Sequence, residues 1–430
     1  MSKIENIPTH NDSLLRFMTC GSVDDGKSTL IGRLLFDTKT ILADTLTQIT
    51  RTSKKRGLDV VDLSLLTDGL QAEREQGITI DVAYRYFSTG TRKYIIADAP
   101  GHEQYTRNMV TAASTANLAI ILIDARKGVL TQTRRHSYLA HLVGIPHIVV
   151  AVNKMDLVNY DQAVFNQIHA DYLAFATEIG LQRAGHDIQF IPMSALNGDM
   201  LVDRGDTMPW YTGPTMLEML EAAPPAHSEQ AESFRFPVQF VCRPHASDDP
   251  ALHDFRGFMG RIESGEIAVG DAVTVLPSGL NSTVKAIQIG DQAIPRAITE
   301  QSITLLLEDE IDTSRGDMIV KTGQAPEPVK QIEAMVCWLS ETPLSSARTY
   351  IVRHTTRESK AKVGTINYKV DVNTMQQMPA EGLTMNDIAR ITFKLAQPLM
   401  VDPYRVNRAT GAFILIDEST NNTVGAGMII

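Results

Sequence analysis

The chain has 430 residues, of which 43% are apolar and 21% are charged, and its formal net charge is −10. This length predicts roughly two to four domains, and the acidic balance argues against a protein that coats nucleic acid. No stretch approaches the roughly 18 apolar residues that span a bilayer, and the polar N-terminus lacks an apolar signal core, so we expect a cytoplasmic protein without a membrane partner.

The first half of the chain alternates strand and helix patterns. Residues 15–20 predict a strand, which a glycine-rich turn and an apolar-periodic helix through Leu35 and Phe36 follow. Further buried strands are predicted at residues 94–97, 118–123, 147–152 and 190–193, with helical stretches such as 131–142 between several of them. A turn at Thr89-Gly90 predicts an antiparallel hairpin between residues 82–88 and 94–97. This alternation is typical of a mostly parallel sheet with helices on both faces.

The pattern changes after a polar link at residues 221–233. From Phe236 onward, short strands and closely spaced glycines are typical of a small β-barrel. A second link, at residues 322–330, precedes strand candidates at residues 332–339, 349–354, 364–371, 391–395 and 413–417. The sequence therefore predicts an α/β domain over residues 1–225 and two small β-barrel domains over residues 234–323 and 330–430.

The three cysteines, Cys20, Cys242 and Cys337, are isolated along the chain. Their odd number and their spacing suit neither a disulfide framework nor a zinc site, and we interpret all three as small buried apolar residues. The one short basic cluster, residues 51–56, is interpreted as a solvated loop.

Residues 21–28 match the pattern G-x-x-x-x-G-K-[ST]. The matching residues are Gly21, Ser22, Val23, Asp24, Asp25, Gly26, Lys27 and Ser28, and we add Thr29, the next residue, to the predicted phosphate-binding set. The glycines let backbone N–H groups close around phosphate oxygens, and the following helix presents its positive end. Lys27 places a charge against the β- and γ-phosphates, and the Ser28 hydroxyl can bind Mg²⁺. The motif predicts a nucleoside triphosphate but leaves its base open.

A second set of residues bears on the base. Asn153, Lys154 and Asp156 form an N-K-x-D motif directly after a predicted strand, and Ser194-Ala195 follow another. The Asp156 carboxylate can accept hydrogen bonds from the N1–H and the exocyclic amine of guanine, whereas adenine offers no such donor pair. We expect Asn153 to tie this loop to the phosphate loop, the stem of Lys154 to cover a ring face, and Ser194-Ala195 to offer backbone N–H to the guanine carbonyl. Guanine is therefore favoured.

The predicted γ-phosphate side of the site combines two loops. Asp98 and Gly101 belong to D-A-P-G, where Asp98 can hold Mg²⁺ through water and the Gly101 N–H can contact the γ-phosphate. Thr79, in G-I-T-I, is the candidate second hydroxyl ligand to Mg²⁺. His102 follows Gly101, and we predict that it orients the attacking water, although a lone histidine is more often structural.

Two carboxylates lie inside the predicted phosphate loop, at Asp24 and Asp25, where they would repel phosphate. A monovalent cation or an outward rotamer at Asp24 would relieve this repulsion. The sequence leaves both alternatives open.

The motifs G-S-V-D-D-G-K-S, R-E-Q-G-I-T-I-D, D-A-P-G-H and N-K-M-D, followed by two barrels, resemble the translational GTPases of the elongation-factor type over residues 15–430. Within that superfamily several stretches resemble the large GTPase subunit of bacterial sulfate adenylyltransferase (ATP sulfurylase). The stretches that carry this resemblance are residues 34–38, 65–74, 254–260, 406–417 and 424–430.

This resemblance implies a specific activity and a specific partner. In that family a small catalytic subunit joins ATP and sulfate into adenosine 5′-phosphosulfate and pyrophosphate, which is an uphill reaction. The large subunit couples GTP hydrolysis to it in sulfate assimilation toward cysteine, in a heterodimer or a higher assembly. Some relatives carry an adenylylsulfate kinase, but this sequence has no second G-x-x-x-x-G-K-[ST], so we expect no kinase activity.

Two other functions share the nucleotide motifs. A translation factor that delivers aminoacyl-tRNA or rescues ribosomes would have the same motifs and the same barrel order. The other is a GTP-binding scaffold that never hydrolyses GTP, and the presence of Thr79, Asp98 and His102 argues against it.

Overall fold

The structure is a computed structural model that describes residues 14–41, 43–55, 61–66, 81–101, 106–181, 185–224, 233–243, 255–371 and 374–430. The chain forms two compact units, one of residues 1–227 and 372–375 and one of residues 228–371 and 376–430.

The first unit is built on a six-stranded sheet. Its strands are β1 (Leu14–Cys20), β2 (Ala83–Ser88), β3 (Lys93–Asp98), β4 (Leu118–Asp124), β5 (His147–Asn153) and β6 (Asp187–Pro192), in the order β2-β3-β1-β4-β5-β6. Only β2 runs antiparallel to its neighbour, as the hairpin predicted around Thr89-Gly90 requires. The other strands are parallel, so their carboxyl ends meet at one edge of the sheet.

Helices connect these strands. They are α1 (Lys27–Asp37), α2 (Ala43–Lys55), α3 (Thr106–Thr115), α4 (Thr131–Leu142), α5 (Gln162–Glu178) and α6 (Met216–Ala222), with short 3-10 helices at Leu63–Leu66 and Met155–Val158. Every residue of β4 is buried, and residues 118–123 are all apolar, as expected for a parallel strand that is covered on both faces. The loop predicted for the basic stretch at residues 51–56 is wrong, because residues 51–55 form the last turn of α2, where Ser53 is buried.

The second unit contains two closed antiparallel barrels. The strands of the first are β7 (Phe236–Cys242), β8 (Gly257–Arg261), β10 (Ala272–Leu276), β11 (Leu280–Ile289), β12 (Gln292–Ile294), β14 (Ser302–Leu307) and β15 (Met318–Lys321). The short strands β9 (Glu266–Ala268) and β13 (Arg296–Ile298) pair with each other in a separate two-stranded sheet. The second barrel has β16 (Pro328–Trp338), β17 (Thr349–His354), β18 (Arg357–Val370), β19 (Gln377–Met378), β20 (Ile388–Met400), β21 (Ala412–Asp417) and β22 (Thr423–Ile429), with the short helix α7 (Arg408–Gly411). Pairing of β10 with β11 and of β17 with β18 closes each sheet. The predicted fold class, an α/β domain followed by two β-barrels, is confirmed.

Each barrel has its own apolar core. Phe236, Phe258 and their neighbours fill the first, and Trp338, Tyr350 and Phe393 lie at the centre of the second. Cys20 and Cys337 are buried as expected, and burial raises the pKa of both thiols to about 12. Cys242 is only half-buried, so the interpretation of all three cysteines as buried is wrong for this one.

A buried ion pair joins the two barrels within the second unit. Arg235, just before β7, donates from Nε and Nη2 to the two carboxylate oxygens of Asp402, just after β20, with both contacts at 2.9 Å. The Thr410 hydroxyl donates to Asp402 at 2.6 Å, and Asn407 donates to the Ser264 hydroxyl of the first barrel at 2.8 Å. Asn407 and Thr410 lie in residues 406–417, one of the stretches that carry the family resemblance.

Removing the charge of Asp402 should destabilise the second unit. Asp402→Asn leaves a nearly buried guanidinium without its counter-charge, and breaking a buried ion pair costs about 3–5 kcal/mol. We expect this loss in the free energy of unfolding at neutral pH, measured by urea titration of Trp338 fluorescence in a Trp210→Phe background. Asp312→Asn, which alters a fully exposed carboxylate of the same unit, is the control and should leave the value unchanged.

The same ion pair gives a pH dependence of defined sign. Burial opposes ionisation of Asp402, but hydrogen bonds from Arg235 and Thr410 outweigh it and lower the pKa of this carboxyl. Its stabilising contribution is therefore present above the unfolded pKa of about 3.9 and is lost as the pH falls through the folded value. The stability difference between wild type and Asp402→Asn should shrink below about pH 4. A difference that stayed constant in acid would contradict this assignment.

Candidate nucleotide-binding site

The predicted phosphate loop connects the end of β1 to the start of α1. Gly26 has a φ of +96° and is the residue before α1, and an added Cβ there would collide with the side-chain amide of Asn153. Lys27 is buried, and its Nζ donates to the carbonyl oxygens of Gly21 at 3.0 Å and of Ser22 at 3.2 Å. Gly21, Gly26 and Lys27 therefore form a tight turn around the Lys27 ammonium, which is the arrangement that phosphate binding requires.

The two carboxylates of this loop occupy different environments. Asp24 is exposed and has a φ of +67°. Asp25 is buried, and its Oδ2 accepts a hydrogen bond of 2.6 Å from the Ser22 N–H. Burial raises the pKa of Asp25. Asp25 is thus held inside the turn by the Ser22 N–H, whereas Asp24 is exposed.

The D-A-P-G segment packs directly against the phosphate loop. Asp98 ends β3, is buried, and accepts a hydrogen bond of 3.1 Å from the Thr19 hydroxyl of β1. A Cβ added at Gly101 would lie 2.7 Å from the Gly21 carbonyl oxygen and 2.8 Å from Lys27 Nζ, so only glycine fits there. The structure therefore brings Asp98 and Gly101 to the same edge of the sheet as the phosphate loop, with Ser28 in the first turn of α1.

Asn153, the last residue of β5, connects its own loop to two others. Its Nδ2 donates to the Asp25 carbonyl oxygen at 2.8 Å, and its Oδ1 accepts from the Ala195 N–H at 2.9 Å. The first contact is the tie to the phosphate loop that the sequence predicts. The second, to the loop after β6, is not apparent from the motif. Ser194 and Ala195 are both buried beside it.

Asp156 holds an unsatisfied acceptor. Its Oδ1 is buried and has no hydrogen-bond partner among the residues that the structure describes. A buried carboxylate oxygen without a donor is costly, and a ligand that supplies N–H groups would remove that cost. This is the donor pair that guanine presents, so the residues present fit a guanine nucleotide.

Several residues that the sequence analysis missed support the site. Arg33 of α1 donates from Nη1 to the Leu196 carbonyl oxygen at 3.3 Å and packs against Gly198, which fixes the loop after Ala195. Leu196 is 61% exposed although it is apolar, and its place beside Ala195 suits contact with a base. Asp124, at the end of β4, forms an ion pair with Lys154. Asp124 could have been found from the sequence, because it is a charged residue directly after the wholly apolar strand predicted at residues 118–123. Nothing in the sequence points to Arg33.

Two predicted site residues, Thr79 and His102, lie outside the described residues, so their roles stay predictions. Ser28 and Asp98 supply a hydroxyl and a carboxylate, which are the hard oxygen donors that Mg²⁺ prefers. Among the described ranges, no helix is long and apolar enough to cross a membrane.

Comparison with known proteins agrees with this geometry. The family model "Elongation factor Tu GTP binding domain" matches residues 12–226, and "GTP-eEF1A C-terminal domain-like" matches residues 331–430. The fold and the nucleotide site thus define a GTP-binding enzyme of the elongation-factor type.

Full-length relatives narrow this class. The chain is 55% identical over 421 residues to sulfate adenylyltransferase subunit 1 of Aliarcobacter butzleri, covering 97% of this chain and 88% of the relative. It is 54% identical to the same subunit of Laribacter hongkongensis, over 97% of this chain and 85% of the relative. It is also 54% identical to the bifunctional enzyme CysN/CysC of Rhodopirellula baltica, over 97% of this chain and 63% of that enzyme. The chain belongs to the sulfate adenylyltransferase subunit 1 family.

Exchanging the unsatisfied carboxylate should change the base preference. Asp156→Asn replaces an acceptor by a donor, which suits the carbonyl that xanthine presents in place of the guanine amine. We expect the affinity for GTP to fall by about 1–3 kcal/mol and that for xanthosine triphosphate to rise, measured by competition against a fluorescent nucleotide. Asp161→Asn is the matched control: Asp161 is the exposed N-cap residue of α5, and its exchange should leave the base preference unchanged. Retained guanine selectivity in Asp156→Asn would contradict the assigned role.

Proposed function

We propose that this chain binds GTP with Mg²⁺ and couples its hydrolysis to the formation of adenosine 5′-phosphosulfate and pyrophosphate from ATP and sulfate. The observation that supports this most directly is identity above 50% along 97% of the chain to proteins named sulfate adenylyltransferase subunit 1. Further support comes from the phosphate loop, the D-A-P-G segment and the N-K-x-D loop, which lie at one edge of the sheet of the first unit.

Each residue of the site has a part in this chemistry. Lys27 faces the β- and γ-phosphates, and Asp156 accepts hydrogen bonds from guanine. The predicted donation from Ser194-Ala195 to the guanine carbonyl would need a change in this loop, because the Ala195 N–H donates to Asn153 Oδ1 and the Ser194 N–H donates to the Asp199 carbonyl oxygen. Ser28, Thr79 and Asp98 hold Mg²⁺, directly or through water. When bound, this ion neutralises the charge that develops on the β- and γ-phosphate oxygens.

Hydrolysis needs a positioned water more than a strong base. In phosphoryl transfer the protein mainly orients the attacking group and stabilises charge. His102 follows the Gly101 N–H, which contacts the γ-phosphate, and it orients the water for in-line attack. Gly101 and Thr79 release when the γ-phosphate leaves, which turns hydrolysis into a conformational signal.

The partner that receives this signal is a small catalytic subunit, in a heterodimer or a higher assembly in the cytoplasm. The word "subunit" in the names of the relatives supports a partner chain. The anhydride between phosphate and sulfate is high in energy, so its synthesis from ATP runs uphill. GTP hydrolysis on this chain drives that step, and the ATP and sulfate sites belong to the partner.

The test is GTP hydrolysis by this chain with its small partner, with and without ATP and sulfate, while adenosine 5′-phosphosulfate is measured. We expect hydrolysis to rise with both substrates and the product to exceed its GTP-free level. Lys27→Ala should lose GTP binding, because the phosphate loop loses its cation, and with it this excess of product. Hydrolysis that is indifferent to ATP and sulfate, but rises with ribosomes, would place the chain with the translation factors instead.

The proposed role of His102 separates binding from turnover. His102→Ala should bind GTP as wild type does and hydrolyse it about 100-fold more slowly, because the water is no longer oriented. Single-turnover hydrolysis of labelled GTP in the complex measures this directly. An unchanged rate would assign water positioning to another residue.

A further inference from the structure

A buried carboxylate lies behind the base-recognition loop. Asp124 ends β4, and its side chain has no exposed surface. Burial of an ionised carboxylate is unfavourable unless it is paired, so a charge retained here needs a compensating reason.

Four donor groups, from Arg126 and Lys154, compensate the charge. Arg126 donates from Nε to Oδ1 at 3.0 Å and from Nη2 to Oδ2 at 2.7 Å, and its backbone N–H donates to Oδ1 at 3.0 Å. Lys154 Nζ lies 3.2 Å from Oδ2. Burial opposes ionisation, but these donors outweigh it and hold the pKa of Asp124 well below its usual range.

The ammonium of Lys154 contacts a second group. Nζ also donates to the backbone carbonyl oxygen of Asp24, in the phosphate loop. Both Lys154 and Asp24 have positive φ angles, of 64° and 67°, in the left-handed region that side chains disfavour. The ammonium thus links the Asp124 carboxylate to the backbone of the phosphate loop, and among the described residues Asp124 is the only carboxylate paired with it.

We propose that Asp124 is a positioning residue for the nucleotide: it holds the Lys154 ammonium at the junction of the phosphate loop and the base-recognition loop. This inference rests on the proposed nucleotide site. Asp124 itself touches no ligand. By fixing Nζ, it sets the path of the lysine stem, which we expect from the N-K-x-D motif to cover a face of the base. It also keeps the two loops at the spacing that one nucleotide requires. A preorganised site of this kind gains affinity because less motion is lost on binding.

The proposal gives a specific expectation for variants of the full-length chain. Asp124→Asn keeps the shape and one acceptor but removes the charge that attracts Lys154. We expect the Kd for a fluorescent GDP analogue to rise about tenfold, mainly through faster dissociation. Asp417→Asn, which alters a buried, arginine-paired carboxylate of the second unit, controls for general destabilisation and should not change this Kd.

A double-mutant cycle separates positioning from a purely structural role. If Asp124 acts through Lys154, then Asp124→Asn in a Lys154→Met background should cause no further loss, because the ammonium it positions is absent. The double variant also removes both charges of this ion pair together, which limits the risk of misfolding. Additive losses in the cycle would overturn the proposal.

A third variant tests whether the Asp124 carboxylate acts through Arg126 instead of Lys154. Arg126→Gln leaves the Asp124–Lys154 pair in place, so its Kd should stay within about threefold of wild type. A loss as large as that of Asp124→Asn would show that the carboxylate serves Arg126 and would overturn the proposal, as would an unchanged Kd for Asp124→Asn. A wild-type chain that binds no guanine nucleotide would instead overturn the proposed function on which this inference rests.

Discussion

The side-chain amide of Asn153 lies between two loops that come from opposite sides of its own strand. One end of the amide donates to the Asp25 carbonyl oxygen, and the other accepts from the Ala195 N–H. Because the same group uses its donor and its acceptor at once, neither loop can shift without breaking a buried hydrogen bond. The close fit of Gly26 against this amide leaves no room for a larger residue. The phosphate side and the base side of the site are therefore held at one fixed spacing.

This bridge is possible only because the sheet is parallel. Parallel strands deliver their carboxyl ends to the same edge, so loops that are far apart in sequence arrive side by side. The phosphate loop after β1, the D-A-P-G segment after β3 and the N-K-x-D loop after β5 all follow this rule. The contact between Lys154 and Asp124 adds β4 to the set. β3, β4 and β5 each contribute one polar side chain, that of Asp98, Asp124 or Asn153, at the point where the apolar run ends.

Much of this could be predicted from the sequence because its signals are local. The helix predicted at residues 131–142 has those bounds, and the strand predicted at residues 118–123 extends one residue further, to Asp124. Long strands with bulges were harder: the strand predicted at residues 364–371 is the second part of β18, which starts at Arg357 and is interrupted by shifts in register. The contacts of Arg33 and of Arg235 were not predictable, because each partner is more than 160 residues away in sequence.

The position of β1 has a consequence for the order of events during synthesis. This strand is the first described element, yet it lies inside the sheet, and its partner β4 begins about 100 residues later. At roughly 5–20 residues per second, the completed phosphate-loop sequence waits on the order of 5–20 s for the strand that must flank it. During that interval an apolar strand is present with at least one unpaired edge, because β4 is absent, and such a state aggregates readily. A chain stopped before residue 118 would contain the entire G-x-x-x-x-G-K-[ST] motif and still lack a site for phosphate.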